Sequence, residues 1–387
     1  MQMNDLQEFL NSQKAHHLYR SRSIIDGPQD VELAIEGKRY LNFCSNDYLG
    51  HANHPKVIEA FIQGVKTYGV GSGASHLITG HSRAHHELEE SLAEFVGRPR
   101  ALLFSTGYMA NLGVLSSLLQ KGDHVFEDRL NHASLLDGGL LSQARLQRFQ
   151  HADTQDLFAR LTASKAKTKL IASDGVFSMD GDVAPVKALA ELAQEQRAWL
   201  MVDDAHGLGV LGARGRGLLE LTGASSDDVP ILIGTLGKAI GTFGAFVAGD
   251  ETLIESLIQK ARSYIYTTAL PPAVAVATQA SLQLIDDEAW RRDHLRDNIR
   301  LFRELADQAG IAISPSATAI QPVIIGEAEA TLRMSEALKQ RGVLVTAIRP
   351  PTVPHGTARL RITLSAAHTR AHITRLVAEL QTCSVGR

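Results

Sequence analysis

The feature that most constrains this chain is a series of short, unbroken apolar runs, each ending abruptly in polar or glycine residues and separated from the next by a helical pattern. Ala101-Leu-Leu-Phe104, His124-Val-Phe126, Leu170-Ile-Ala172, Trp199-Leu-Met-Val202, Ile231-Leu-Ile233 and Ala245-Phe-Val-Ala248 all have this form. Such runs are too short for buried helices, and without polar alternation they have no solvent face. They predict strands of a mostly parallel central sheet with helices over both faces, an α/β fold. In open sheets of that kind, chemistry collects at the carboxyl ends of the strands.

The 387 residues suffice for more than one domain. Residues 1–48 are predicted to hold an N-terminal helix, with Leu6, Phe9, Leu10 and Leu18 on one face, and a short β segment turning at Glu36-Gly37. Residues 49–285 form the large α/β domain. Residues 286–387 read as a smaller α+β domain, with a helix over 286–309, strands near 319–325, 344–347 and 359–364, and a final helix. With 39 Lys+Arg against 42 Asp+Glu, the net charge of −3 argues against a nucleic-acid binder. The 2 cysteines, Cys44 and Cys383, cannot build a disulfide framework and fit a reducing cytoplasm. No targeting leader and no membrane span is expected: residues 1–22 lack an apolar core, and the most apolar stretch, 267–285, is broken by Pro271-Pro272. The 16 histidines show no paired zinc-helix spacing, so no metal is expected.

Two strand ends carry the chemistry. Trp199–Val202 runs into Asp203-Asp204-Ala205-His206, two carboxylates and an imidazole that are costly to place in a sheet without a task. A single Asp there would read as a helix cap. Ile231–Ile233 runs into Gly234-Thr235-Leu236-Gly237-Lys238, where burial would favour a neutral, nucleophilic amine. A strand-end acid, a nearby imidazole and a strand-end lysine suit pyridoxal phosphate, which takes a lysine on its aldehyde and an acid at its pyridine nitrogen. Ser105-Thr-Gly107-Tyr108, between a strand and a helix, would offer backbone N–H groups to its phosphate. Two other patterns carry less weight. Gly207-x-Gly209-x-x-Gly212 satisfies a dinucleotide fingerprint and keeps a nicotinamide oxidoreductase open as a remote alternative, but Asp-Asp-Ala-His separates it from the strand. Gly234-x-x-Gly237-Lys238 is too short for a phosphate loop and lacks the following Ser/Thr.

Ser45-Asn-Asp-Tyr-Leu-Gly50, Asn131-His-Ala-Ser134, Gly175-Val-Phe-Ser-Met-Asp-Gly181, Asp203-Asp-Ala-His-Gly207 and Thr235-Leu-Gly-Lys238 occur in order along the chain. Together they resemble the α-oxoamine synthase family, pyridoxal-phosphate transferases of fold type I. The resemblance implies a homodimeric acyltransferase that condenses an amino acid with an acyl thioester and expels carbon dioxide. Ile348-Arg-Pro-Pro-Thr-Val-Pro354 and Gly356-Thr-Ala-Arg-Leu-Arg361 are most similar to members that take L-alanine and a pimeloyl thioester, carried on coenzyme A or on an acyl carrier protein. A relative using glycine and a short acyl-CoA is the alternative.

Carried over by position, the resemblance makes Lys238 the Schiff-base lysine and acid/base, Asp203 the partner of the pyridine nitrogen, and His206 the partner of the ring hydroxyl. It makes His132 the group stacked on the ring and beside the substrate, where a core-packing histidine is the other reading. Gly107 and Tyr108 become phosphate contacts. Ser178 and Thr235 fall near the ring oxygen and phosphate, positions that also cap turns. Arg361 is assigned to the amino-acid carboxylate, with Arg349 and Arg359 as rivals. Arg20 and Thr352 are assigned to the acyl substrate, and Asn46 to a place over the substrate. Arg20 reads equally as a solvated charge and Asn46 as a cap. Asp174 stands where the family usually has Glu.

Overall fold

A computed structural model of the chain describes residues 3–385. They fall into two compact units, one of residues 3–50, 179–182 and 293–385, the other of residues 51–178 and 183–292. The first unit opens with helix Met3–Ala15 and the antiparallel strands β1 (Glu32–Ile35) and β2 (Lys38–Asn42). Their turn places both Glu36 and Gly37 at positive φ, 50° and 75°. The helix ends before Leu18, so that residue is not on the expected helix face, and Leu6, Phe9 and Leu10 are exposed.

The second unit holds a seven-stranded sheet. Its strands are β3 (Arg100–Phe104), β4 (His124–Asp128), β5 (Arg145–Phe149), β6 (Lys169–Asp174), β7 (Trp199–Asp203), β8 (Ile231–Thr235) and β9 (Ala245–Gly249). The spatial order is β3-β9-β8-β7-β6-β4-β5. Strands β4 to β8 run parallel, and β9 is antiparallel to both its neighbours. Successive residues of one strand enter opposite layers, as a sheet covered on both faces requires. Leu170 and Ala172 pack with Leu102, Val114 and Ile233, whereas Ile171 packs with Phe126, Leu189 and Leu200. The sequence reading missed β5. Its Arg-Leu-Gln-Arg-Phe is polar because it lies at the edge of the sheet, where charged side chains also block pairing with another chain.

The remainder of the first unit carries β10 (Ile320–Gly326), β11 (Val343–Leu344), β12 (Thr346–Ile348) and β13 (Ala358–Thr363). β11 pairs parallel to β2, joining the N-terminal hairpin to the C-terminal segment in one sheet. β10, β13 and β12 form a second, antiparallel sheet. The single strand expected over 344–347 is therefore two, one in each sheet. The helix expected over 286–309 is Trp290–Gln308, since residues 286 and 287 end the preceding helix, Pro272–Asp287. Among the described residues no helix is long and apolar enough to cross a membrane. Both cysteines are free thiols.

Candidate active site

The carboxyl ends of the parallel strands surround a cavity of about 180 Å³ in the second unit. β7 delivers Asp203 to its wall, and Ala205 and His206 follow on the next loop. β8 delivers Thr235, and the loop behind it delivers Lys238. That loop is held by its own backbone: Leu236 N–H donates to Gly244 O at 2.9 Å and Gly241 N–H to Lys238 O at 2.8 Å. β6 contributes Asp174, with Ser178 beyond it. Gly107 and Tyr108 open the helix Gly107–Leu118, and His132 and Ser134 bracket the start of the helix Ala133–Leu141. All eight residues assigned to the cofactor thus line one cavity.

Asp203 accepts from Ala205 N–H at 3.0 Å through one oxygen and from Asn111 Nδ2 at 2.7 Å through the other. Both donors fix the carboxylate at the floor of the cavity. Asp174, also buried, accepts from the His132 N–H at 2.8 Å and so anchors the loop that carries the imidazole. Burial first, and then the neighbouring Asp203 charge, hold the Asp174 carboxyl well above its ordinary value. His132 is an exposed residue on the cavity wall. The protein behind it still lowers its pKa, chiefly by desolvation and against the pull of Asp203. The ring is therefore neutral near pH 7.

Pyridoxal phosphate fits these walls. A planar cationic ring would find Asp203 at its nitrogen and an aldehyde would find Lys238. A phosphate would meet the start of helix Gly107–Leu118, whose first N–H groups have no intrahelical acceptors. A Cβ built on Gly107 meets nothing within 4 Å, so the space over that helix end is open. Tyr108 OH is engaged with Asp137.

The glycine pattern at 207–212 has a different purpose. A Cβ at Gly207 would lie 2.1 Å from Asp204 Oδ1, and one at Gly217 would lie 1.9 Å from Oδ2. Gly207 and Gly217 thus press on the buried Asp204, whereas a Cβ at Gly212 would meet Glu220 Oε2 at 2.1 Å. The Asp204 carboxyl is pushed up to about 8 mainly by desolvation and accepts from Leu218 N–H at 2.6 Å. The next helix is the short Leu218–Thr222, beyond the pattern, so no helix start lies where a dinucleotide phosphate would need it.

Of the residues assigned to the substrate, His132 lines the cavity of the second unit, and Arg20, Asn46, Thr352 and Arg361 lie in the first unit. Arg20 and Thr352 line a cavity of about 680 Å³, together with Arg349, Leu33, Ile35 and Ile348. Arg361 Nη1 donates to Asn46 Oδ1 at 3.1 Å, and Tyr48 OH donates to the same oxygen at 3.1 Å. Asn111, Ser134, Asp174 and Ala205 were not among the site residues assigned from sequence. For Asn111 a signal existed: it is the polar residue of the first turns of an otherwise apolar helix, and buried amides there require partners.

The sequence matches the family model described as aminotransferase class I and II over residues 38–380. It is 62% identical over 371 residues to 8-amino-7-oxononanoate synthase of Nitrosococcus oceani, covering 96% of this chain and 98% of that protein. Among solved structures, serine palmitoyltransferase from S. paucimobilis with a bound PLP–myriocin aldimine superposes with a TM-score of 0.94 at 31% identity, over 99% of this chain and 97% of that one. 8-Amino-7-oxononanoate synthase from Francisella tularensis superposes with a TM-score of 0.78 at 33% identity, over 90% and 98%.

Proposed function

The chain belongs to the class I and II aminotransferase family, and from that premise we propose that it condenses L-alanine with a pimeloyl thioester to 8-amino-7-oxononanoate, carbon dioxide and free thiol, a step of biotin biosynthesis. It is a pyridoxal-phosphate-dependent acyltransferase of fold type I. The observation that carries the reading is the pairing of Asp203 and Lys238 on one cavity within a chain similar from end to end to such synthases.

When bound, pyridoxal phosphate supplies an electron sink through its protonated ring and an aldehyde that takes an amine. Lys238 Nζ provides the resting amine and then takes the α-proton of alanine. Asp203 keeps the ring nitrogen protonated, because a carboxylate beside that cation favours the charged form. Gly107, Tyr108, Ser178 and Thr235 orient the phosphate and ring oxygen, and His206 holds that oxygen from the loop after β7. His132 covers one face of the site. Arg361 holds the alanine carboxylate with its forked guanidinium. Asn46 keeps that guanidinium in place. Arg20 and Thr352 receive the far end of the acyl chain. The new carbon–carbon bond joins the alanine α-carbon to the thioester carbonyl and the thiolate leaves and takes up a proton; the alanine carboxyl then departs as carbon dioxide, and the electron pair it leaves on the α-carbon takes the proton held by Lys238 Nζ. The same proposal includes a cytoplasmic homodimer and an acyl donor on coenzyme A or a carrier protein.

Thiol release from pimeloyl-CoA in the presence of L-alanine, glycine or L-serine tests the reading. Alanine should be preferred by at least about 10-fold, the discrimination one methyl group in a fitted pocket supports. Preference for glycine, or an inert pimeloyl-CoA, would move the protein to another member of the family.

A further inference from the structure

Four side chains form a directed hydrogen-bond chain beneath the cavity. Asp203 Oδ2 accepts from Asn111 Nδ2 at 2.7 Å, the same Nδ2 lies 2.8 Å from Ser134 Oγ, and Ser134 Oγ lies 2.7 Å from His132 Nδ1. Each direction follows from the one before. An ionised carboxylate only accepts, so Asn111 must turn its NH₂ toward Asp203. The second hydrogen of that NH₂ then goes to Ser134 Oγ, which spends a hydroxyl lone pair as acceptor. The Ser134 proton is left to point at His132 Nδ1. That nitrogen also receives the Ser134 backbone N–H at 3.3 Å, so two donors meet it. The orientation has a cost that marks it as imposed: Asn111 Oδ1 is buried with no hydrogen-bond partner.

We propose that Asn111 and Ser134 are positioning residues that transmit the charge of Asp203 to His132 and lock its neutral ring as the Nε2–H tautomer, leaving Nε2–H as the ring's donor. The proposal deepens the functional reading and rests on it for the substrate that Nε2–H meets. Wherever the acyl or carboxyl oxygen of a substrate reaches His132, it finds a donor and never a lone pair. The same acid that serves the ring nitrogen thereby sets the hydrogen-bonding sense of the stacked imidazole.

The test is long-range ¹H–¹⁵N correlation of histidine-labelled holoenzyme, with His132 assigned by the signal lost in His132→Gln. Wild type should show a protonated Nε2 and an unprotonated Nδ1 near pH 7. Asn111→Asp reverses the chain, since a carboxyl oxygen there takes the Ser134 proton, and the ring should switch to Nδ1–H. Ser134→Ala removes one of the two donors and should give a mixture, and Ser134→Thr should restore Nε2–H. kcat of Asn111→Asp should fall about 10²-fold, the scale of a lost proton-positioning group. A wild-type ring protonated on Nδ1, or a tautomer unchanged by Asn111→Asp in a variant that still melts cooperatively, would overturn the proposal. The ring nitrogens are read directly, so an enzyme with different substrates would leave the result standing while failing the thiol-release assay.

Discussion

Arg359 is bound through its guanidinium to the Asp180 carboxylate, while Arg361, two residues further along the same strand, donates to the side-chain oxygen of Asn46. Arg359 also reaches the backbone oxygens of Met179 and Thr357. Its donors are committed to a structural ion pair, which leaves it a poor candidate for a substrate carboxylate.

The two arginines should therefore fail differently. Arg361→Lys keeps the charge and loses the fork, and KM for alanine should rise at least about 10-fold with little change in melting temperature. Arg359→Ala strands Asp180 beside a buried site and should cost about 3 kcal/mol of stability in denaturant titration. A large alanine KM effect confined to Arg359→Ala would exchange the two roles.

Lys238→Ala removes the only amine proposed for the cofactor aldehyde. Borohydride treatment followed by mass spectrometry should add the cofactor mass to a peptide containing Lys238 in wild type and to none in the variant. Turnover should drop by at least about 10³-fold, because the covalent step and the proton acceptor are lost together.

Glu127 is fully buried in β4, and neither carboxylate oxygen has a hydrogen-bond partner. Burial pushes its carboxyl up to about 7, against the opposing pull of Arg148. The unfolded chain ionises first, from its ordinary value of 4.5, so stability falls as pH rises from about 4.5 to 7 and is then level with respect to this group. Glu127→Gln should flatten that slope and gain about 3 kcal/mol at pH 8, with little change at pH 4. Denaturant midpoints at the two pH values measure it.

The cofactor cavity was legible because its residues stand where apolar runs stop. The end of each run marks the end of a buried strand, so Asp203, Thr235 and Lys238 could be placed on one rim before any tertiary contact was known. Asn111 was not legible in that way. Its meaning depends on Asp203 across the cavity, and nothing local to the helix reports that carboxylate. β5 was hidden for the opposite reason, since an edge strand has no need of a continuous apolar run. The N-terminal pattern of Leu6, Phe9 and Leu10 marked one face of a helix, and that face is exposed, because periodicity reports amphipathicity and not what covers it.

The larger cavity predicts how the acyl chain is chosen. Its walls combine apolar side chains from β1, β11 and β12 with Arg20 and Arg349, and among the described residues no Asp or Glu lines it. The Arg20 charge lowers the Arg349 pKa, second to burial, so the two guanidinium groups share a region that an anion would neutralise. Arg349 is already tied to the backbone oxygens of His17 and Tyr19, which leaves Arg20 as the cation better able to turn toward a ligand. A cavity that sets apolar side chains beside two guanidinium groups favours a dicarboxylic monothioester over a fatty acyl chain of equal length. Wild-type enzyme should prefer pimeloyl-CoA to heptanoyl-CoA by about 10²-fold in kcat/KM, and Arg20→Ala should reduce that ratio to within about 10-fold while leaving KM for alanine unchanged. Thr352→Val should narrow it less, since it removes one neutral hydroxyl. Equal losses on both thioesters would show that Arg20 orders the segment before β1 and does not read the terminal carboxylate.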